Sequence, residues 1–203
     1  MFEIQVIRKE EPRVYRLQRR KKYISVLLTK YSDVTSNMLQ IMTRGKYTHA
    51  SLGITEDEFF SFVTKGFHVE RPAKILSRMR EDIPCALYRL RVSDDVYEEL
   101  SWKLHQLSDC GQLYKYSRLG LFLCLLHIPH FMERHYFCSR FVAEILQDCE
   151  ALKLRKPSSL YLPDDFAKER QLKLCFEGTL KELIASDVKR MNILNDGTRN
   201  VWI

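Results

Sequence analysis

The sequence predicts an α+β domain in which an antiparallel sheet packs against helices. Segments with strand periodicity fall in the first half of the chain, and segments with helical periodicity fall mainly in the second. Seven glycines and six prolines in 203 residues are too few for a loop-dominated fold. With 45% apolar residues the chain can build a sizeable core, so residues 1–203 are expected to form one domain. Residues 1–21 are expected to be a basic N-terminal extension or an extra strand, because "FEIQV" alternates like a strand and "RKEEPR" interrupts it.

The elements follow in order. "KYISVLLTKYS" (22–32) is β-rich and mostly apolar, which predicts a central strand. A helix is predicted over about 34–43, with Val34, Met38, Leu39, Ile41 and Met42 on its buried side. In "KYTHASLGI", Ala50, Leu52 and Ile54 alternate with His49, Ser51 and Gly53, the period of a strand with two unlike faces. "EFFSFVTKGF" predicts the next strand and "CALYRLRV" (85–92) another.

"SDDVYEELSWKLHQLSDC" then offers Ser93 as N-cap, acids in the first turn, and Val96, Leu100, Leu104 and Leu107 at helical spacing. "SRFVAEILQDCEAL" predicts a helix that buries Phe141, Val142, Ile145, Leu146 and Cys149 and turns Arg140, Glu144, Gln147 and Asp148 outward. A last helix is predicted over about 178–186. The apolar run "LGLFLCLLHIPHF" is expected to be a buried core helix, the alternative being a border of the site that receives an acyl chain or a membrane surface.

Composition narrows the function classes. The longest apolar stretch falls short of the roughly 18 residues that a membrane span requires, and the opening residues lack the pattern of a secretory signal. The six cysteines, at 85, 110, 124, 138, 149 and 175, show no C-x-x-C spacing and no disulfide-scaffold density, which predicts reduced thiols and a cytoplasmic location. Of the net charge of +7, a surplus of six lies between Arg8 and Lys22, where eight Lys or Arg face only Glu10 and Glu11. That segment is expected to be solvated or to contact an anionic surface, and the rest of the chain is nearly neutral.

The chemistry centres on Cys138. It precedes Phe141, Ile145 and Cys149 by 3, 7 and 11 positions, so at the start of the predicted helix it leans toward the buried face. A thiol at a helix N-terminus meets unpaired N–H groups and the positive end of the dipole, which favour the thiolate; otherwise it is a buried core cysteine. It needs a base. His49, on a strand face with the small residues Ser51 and Gly53, is the most specific candidate, because a helix could approach there. His127, His130 and His135 lie nearer in sequence but in a predicted loop, and His105 falls within a helix. Neither a metal nor a cofactor is expected, since no Cys or His pair has familiar zinc-ligand spacing.

"YTHASLGI" followed 89 positions later by "YFCSRFVAEIL", in the context of "YISVLLTKYSD", "LPDDF" and "FEGTL", resembles the circularly permuted branch of the NlpC-type, papain-like cysteine hydrolases, especially its YiiX-like members. The resemblance covers about residues 22–182. It implies a permuted papain-like fold in which the His-bearing strand precedes the Cys-bearing helix. Cys138 would be the nucleophile and His49 the general base, attacking an amide or ester through an acyl-thioester. In that family a third polar residue on the following strand orients the imidazole; Ser61 is the tentative candidate and His68 a more remote one. Related enzymes cleave peptides or transfer lipid acyl chains, so a small peptide or an acyl-lipid substrate is implied. The competing expectation is a non-catalytic binding module whose basic segment 8–22 holds nucleic acid or another anionic partner.

Overall fold

A computed structural model describes residues 22–31, 45–79 and 82–186. The helix predicted over 34–43 and the extension 1–21 lie outside these residues. The chain runs through β1 (Lys22–Thr29), β2 (His49–Gly53), β3 (Phe59–Val63), β4 (Gly66–Glu70), α1 (Pro72–Arg78), β5 (Pro84–Val92) and α2 (Asp94–Asp109). It continues with β6 (Lys115–Tyr116), α3 (Arg118–Leu125), β7 (His135–Tyr136), α4 (Cys138–Asp148), α5 (Pro163–Phe166) and β8 (Lys173–Thr179). A helical run at 180–186 follows.

The architecture is mixed α+β, with a six-stranded antiparallel sheet packed against helices. Its strand order is β4-β3-β2-β1-β5-β8, which puts β1 near the middle, hydrogen-bonded to β2 and β5. Strand period 2 then sorts the side chains into two cores. Ile24, Val26 and Leu28 of β1 join Ala50, Leu52, Ala86, Tyr88 and Leu90 on one face, covered by Leu100 and Leu104 of α2 and by Phe141, Val142, Ile145 and Leu146 of α4. Leu27, Phe59, Cys85 and Leu87 share the other face with Ile83 and with Leu180 and Leu183 of the last helical run.

Local sequence explains most element boundaries. Ser93 caps α2, its hydroxyl accepting the Val96 N–H at 3.3 Å, with Asp94 and Asp95 in the first turn. "FFSFVTKGFHVE" is not one strand but a hairpin, β3–β4, that turns at Thr64–Lys65. Neither of those residues is a strong turn former; Gly66, at φ +107, supplies the conformation the turn needs. The helix expected over 178–186 begins later, since residues 173–179 pair as β8 along β5 and only 180–186 are helical. A second, two-stranded sheet pairs β6 and β7 in parallel and brackets α3.

Two expectations about orientation are corrected. Arg140 is not outward but 1% exposed. Its Nε donates to Glu144 Oε2 (3.1 Å) and its Nη1 to the His135 carbonyl (2.9 Å), while the guanidinium lies 4.8 Å from the Phe131 ring and 5.0 Å from the Tyr136 ring. A buried cation is tolerable only with such partners. The run 119–131 is also not simply core: α3 buries Gly120, Leu121 and Cys124 but leaves Leu119 and Phe122 exposed. Among the described residues, no helix is long and apolar enough to cross a membrane.

Candidate functional site

Cys138 is the first residue of α4, as the helical phase predicts, and it is buried. The N-cap, Phe137, is fully buried and provides no side-chain acceptor for the exposed N–H groups of the first turn. The Cys138 sulfur takes over part of that role by accepting the Ser139 N–H. Helix α4 is clamped in turn, because the Ser139 hydroxyl donates to the Tyr161 carbonyl at 2.7 Å. Tyr161 is itself fixed by its hydroxyl donating to Glu169 Oε1 at 2.5 Å.

His49 lies on a strand, as predicted, and opens β2; its ring is close enough to the Cys138 thiol for each to shift the other's protonation. The route of approach differs from the expected one. Helix α4 packs on the Ala50/Leu52 face of β2, not on the Ser51/Gly53 face, where the Phe59 ring fills the space beside Gly53. The thiol reaches His49 because the β2–β3 ladder stops early: its register pairs only Leu52 with Phe60 and Gly53 with Phe59. At Ala50 the strands have parted. The freed Ala50 N–H lies near the Cys138 sulfur and favours its thiolate form, and the Ala50 carbonyl accepts the Ser61 hydroxyl at 2.7 Å.

Ser61 is therefore near the site but bonded to backbone, not to the imidazole. The residue on His49 is Glu70, whose Oε1 lies 2.7 Å from His49 Nε2. A carboxylate oxygen accepts, so Nε2 carries the hydrogen and Nδ1 is left for the thiol. Glu70 ends β4, and both it and His49 are buried. Sequence reasoning passed over it because the hairpin turn was not recognised, so β4 had no end at which to look. His68, one turn of the alternation earlier, is exposed.

Tyr31 lies beside the imidazole with ring centroids 5.4 Å apart, anchored by its N–H donating to Thr48 Oγ1 at 2.9 Å. Asp164 of "LPDDF" ties down the approach to β2 through the N–H groups of Lys46 (3.2 Å) and Tyr47 (3.3 Å). The other histidines are engaged elsewhere or lie in the loop: His135 Nδ1 contacts the Glu133 carbonyl, and His105 Nδ1 contacts that of Ser101.

The electrostatics set Cys138 apart from the other buried thiols. Burial pushes Cys85 and Cys124 up to about 12 and raises Cys149 as well. Burial acts on Cys138 in the same direction, yet the charge and hydrogen bond of His49, with the N–H groups of Ala50 and Ser139, outweigh it and bring the thiol below its ordinary value. His49 moves oppositely. Burial alone would lower it, but the Glu70 carboxylate and the Cys138 sulfur hold it well above the usual imidazole range. The arrangement shifts the pair toward thiolate and imidazolium.

No protein-family model matches the chain, and no curated protein matches it. The class that fold and site define is thus an α+β domain whose antiparallel sheet and one helix N-terminus enclose a buried Cys–His–Glu constellation. Among the described residues, no cluster of three or more His, Cys, Asp or Glu side chains is placed to hold a metal ion.

Proposed function

We propose that this protein is a cysteine hydrolase with a permuted papain-like fold, acting on an amide or ester through an acyl-thioester on Cys138. The observation that carries this reading is the geometry of the buried constellation: Cys138 opens α4 next to His49, and the Glu70 carboxylate lies 2.7 Å behind the ring, an arrangement that lowers the thiol and raises the imidazole. A buried cysteine without such partners is raised, as Cys85 and Cys124 are. The order of His strand before Cys helix supports the permuted arrangement.

The chemistry follows from the geometry. The Cys138 thiolate attacks the substrate carbonyl carbon, and the carbonyl π electrons move to oxygen. Helix geometry leaves the Cys138 N–H without an intrahelical acceptor, which makes it a donor for that oxyanion. Collapse of the tetrahedral adduct breaks the bond to the amine or alcohol, which leaves with the proton from His49 Nδ1. Neutral His49 then takes a proton from water, whose oxygen attacks the thioester carbonyl and releases the acid and the thiolate. Glu70 keeps the ring oriented and stabilises its charged form, as the carboxylate of a Ser-His-Asp triad does.

Incubation with an activated acyl ester, followed by intact-mass and peptide mapping, tests the proposal. One acyl group is expected on Cys138, formed in the native chain, absent from Cys138→Ala and slow to form in His49→Ala. Acylation spread over the exposed Cys110 and Cys175, with Cys138 unmodified, is the contrary result.

A further inference from the structure

The unburied face of α3 has no role in the fold or in the proposed chemistry. Five of the ten exposed large hydrophobic side chains among the described residues lie within 119–131: Leu119, Phe122, Leu126, Ile128 and Phe131, each 48% to 68% exposed. They form a ridge because of how α3 ends. His127 takes the left-handed conformation (φ 59), its N–H bonding the Cys124 carbonyl at 3.0 Å, while the Ile128 N–H bonds the Leu123 carbonyl at 2.9 Å. This is a Schellman closure with histidine where glycine is usual. It turns the chain just before Ile128, whose side chain is exposed like those of Leu119, Phe122 and Leu126.

The exposed charges flanking the ridge in the sequence are mainly positive, with Glu133 the one carboxylate beside them. Between Asp109 and Glu133 the sequence contains no carboxylate, whereas Lys115 and Arg118 lie within it and Arg134 just beyond. All three cations are exposed. An apolar ridge rimmed by cations complements a surface that is anionic outside and apolar beneath. The buried side of α3, Leu121 and Cys124, packs on Phe137, the residue before Cys138.

We infer that α3 and the 126–131 turn form a docking surface for an anionic lipid bilayer, with Leu119, Phe122, Leu126 and Ile128 inserting between headgroups and Lys115, Arg118 and Arg134 contacting phosphates. An eight-residue helix is about 12 Å long, enough to lie in the headgroup layer but not to span it. Docking stands apart from the hydrolase reading, because it does not require Cys138 to react.

The test is co-sedimentation of the full chain with phosphatidylcholine vesicles and with vesicles that also contain phosphatidylglycerol, at low and high salt. Binding is expected to the anionic vesicles and to weaken with salt. Phe122→Ser is expected to reduce partition about tenfold and Arg118→Glu about fivefold or more. Leu126→Ser repeats the apolar arm at an independent position, and Cys138→Ala leaves partition unchanged. Retained thermal unfolding and an unchanged alkylation rate at Cys138 verify that the ridge variants are folded. Absence of binding to anionic vesicles, or binding indifferent to the ridge variants, overturns the inference. So does a native oligomer that dissociates in Phe122→Ser while vesicle binding is absent, since the ridge would then face a second copy of the chain.

Discussion

Helices α3 and α4 are neighbours joined through Phe137, both rich in apolar residues, yet they use them differently. In α4 the apolar side chains are consumed by the sheet: Phe141, Val142, Ile145 and Leu146 belong to the core where the helix packs on β2 and β3, and even Arg140 on the polar side is drawn in. In α3 only Gly120, Leu121 and Cys124 are buried; Leu123 and Leu125 are half-buried, and Leu119 and Phe122 face outward. The difference teaches that apolar content alone does not mark core. What α4 buries is explained by folding, whereas what α3 exposes is left for a surface outside the chain.

The largest expected difference between the two helices is energetic. Phe141→Ala removes a ring that packs against Phe62, Phe67 and Tyr136, and is expected to cost about 3–5 kcal/mol in denaturant unfolding. Within the site, Glu70→Gln keeps the size but not the charge behind His49. It is expected to slow alkylation of Cys138 at neutral pH roughly 100-fold, on the scale of a lost acid–base partner. Ser61→Ala strips the Ala50 carbonyl of its donor and is expected to cost about 1–2 kcal/mol of stability. Because Ser61 does not touch the imidazole, the pH dependence of Cys138 reactivity should keep its shape in that variant; a profile moved as far as in Glu70→Gln would make Ser61 part of the dyad's electrostatics. Smallest of all, Phe122→Ala on the exposed side of α3 should change stability by less than about 0.5 kcal/mol. A cost comparable to that of Phe141→Ala would mean that the ridge is core after all.

Much of the site was legible because it follows local periodicity. The alternation in "THASLG" placed His49 at the start of a strand, and the spacing of Phe141, Ile145 and Cys149 turned Cys138 inward. The parts that were not legible depend on where distant segments meet. Glu70 reaches His49 only because the chain reverses at Thr64–Lys65, and Ser61 finds Ala50 only because the β2–β3 ladder ends early. Arg140 occupies a polar phase of α4 and is buried by partners outside the helix, Phe131 and Tyr136, which helical period cannot reveal. For α3 the apolar pattern was visible, but the side on which the rest of the protein would end was not.

The central claim is that Cys138 rests as a thiolate paired with protonated His49. Its most direct measurement is the rate of Cys138 alkylation by iodoacetamide as a function of pH, in the native chain and in His49→Ala. The thiol is lowered and the imidazole raised. Protonation of the sulfur should therefore cut the rate only at a pH below the ordinary thiol value. In His49→Ala the cation is gone and burial is unopposed, so the rate should be low at neutral pH and climb only in alkali. Coincident profiles for the two proteins, both rising only in alkali, would contradict the account and leave Cys138 a buried thiol like Cys85.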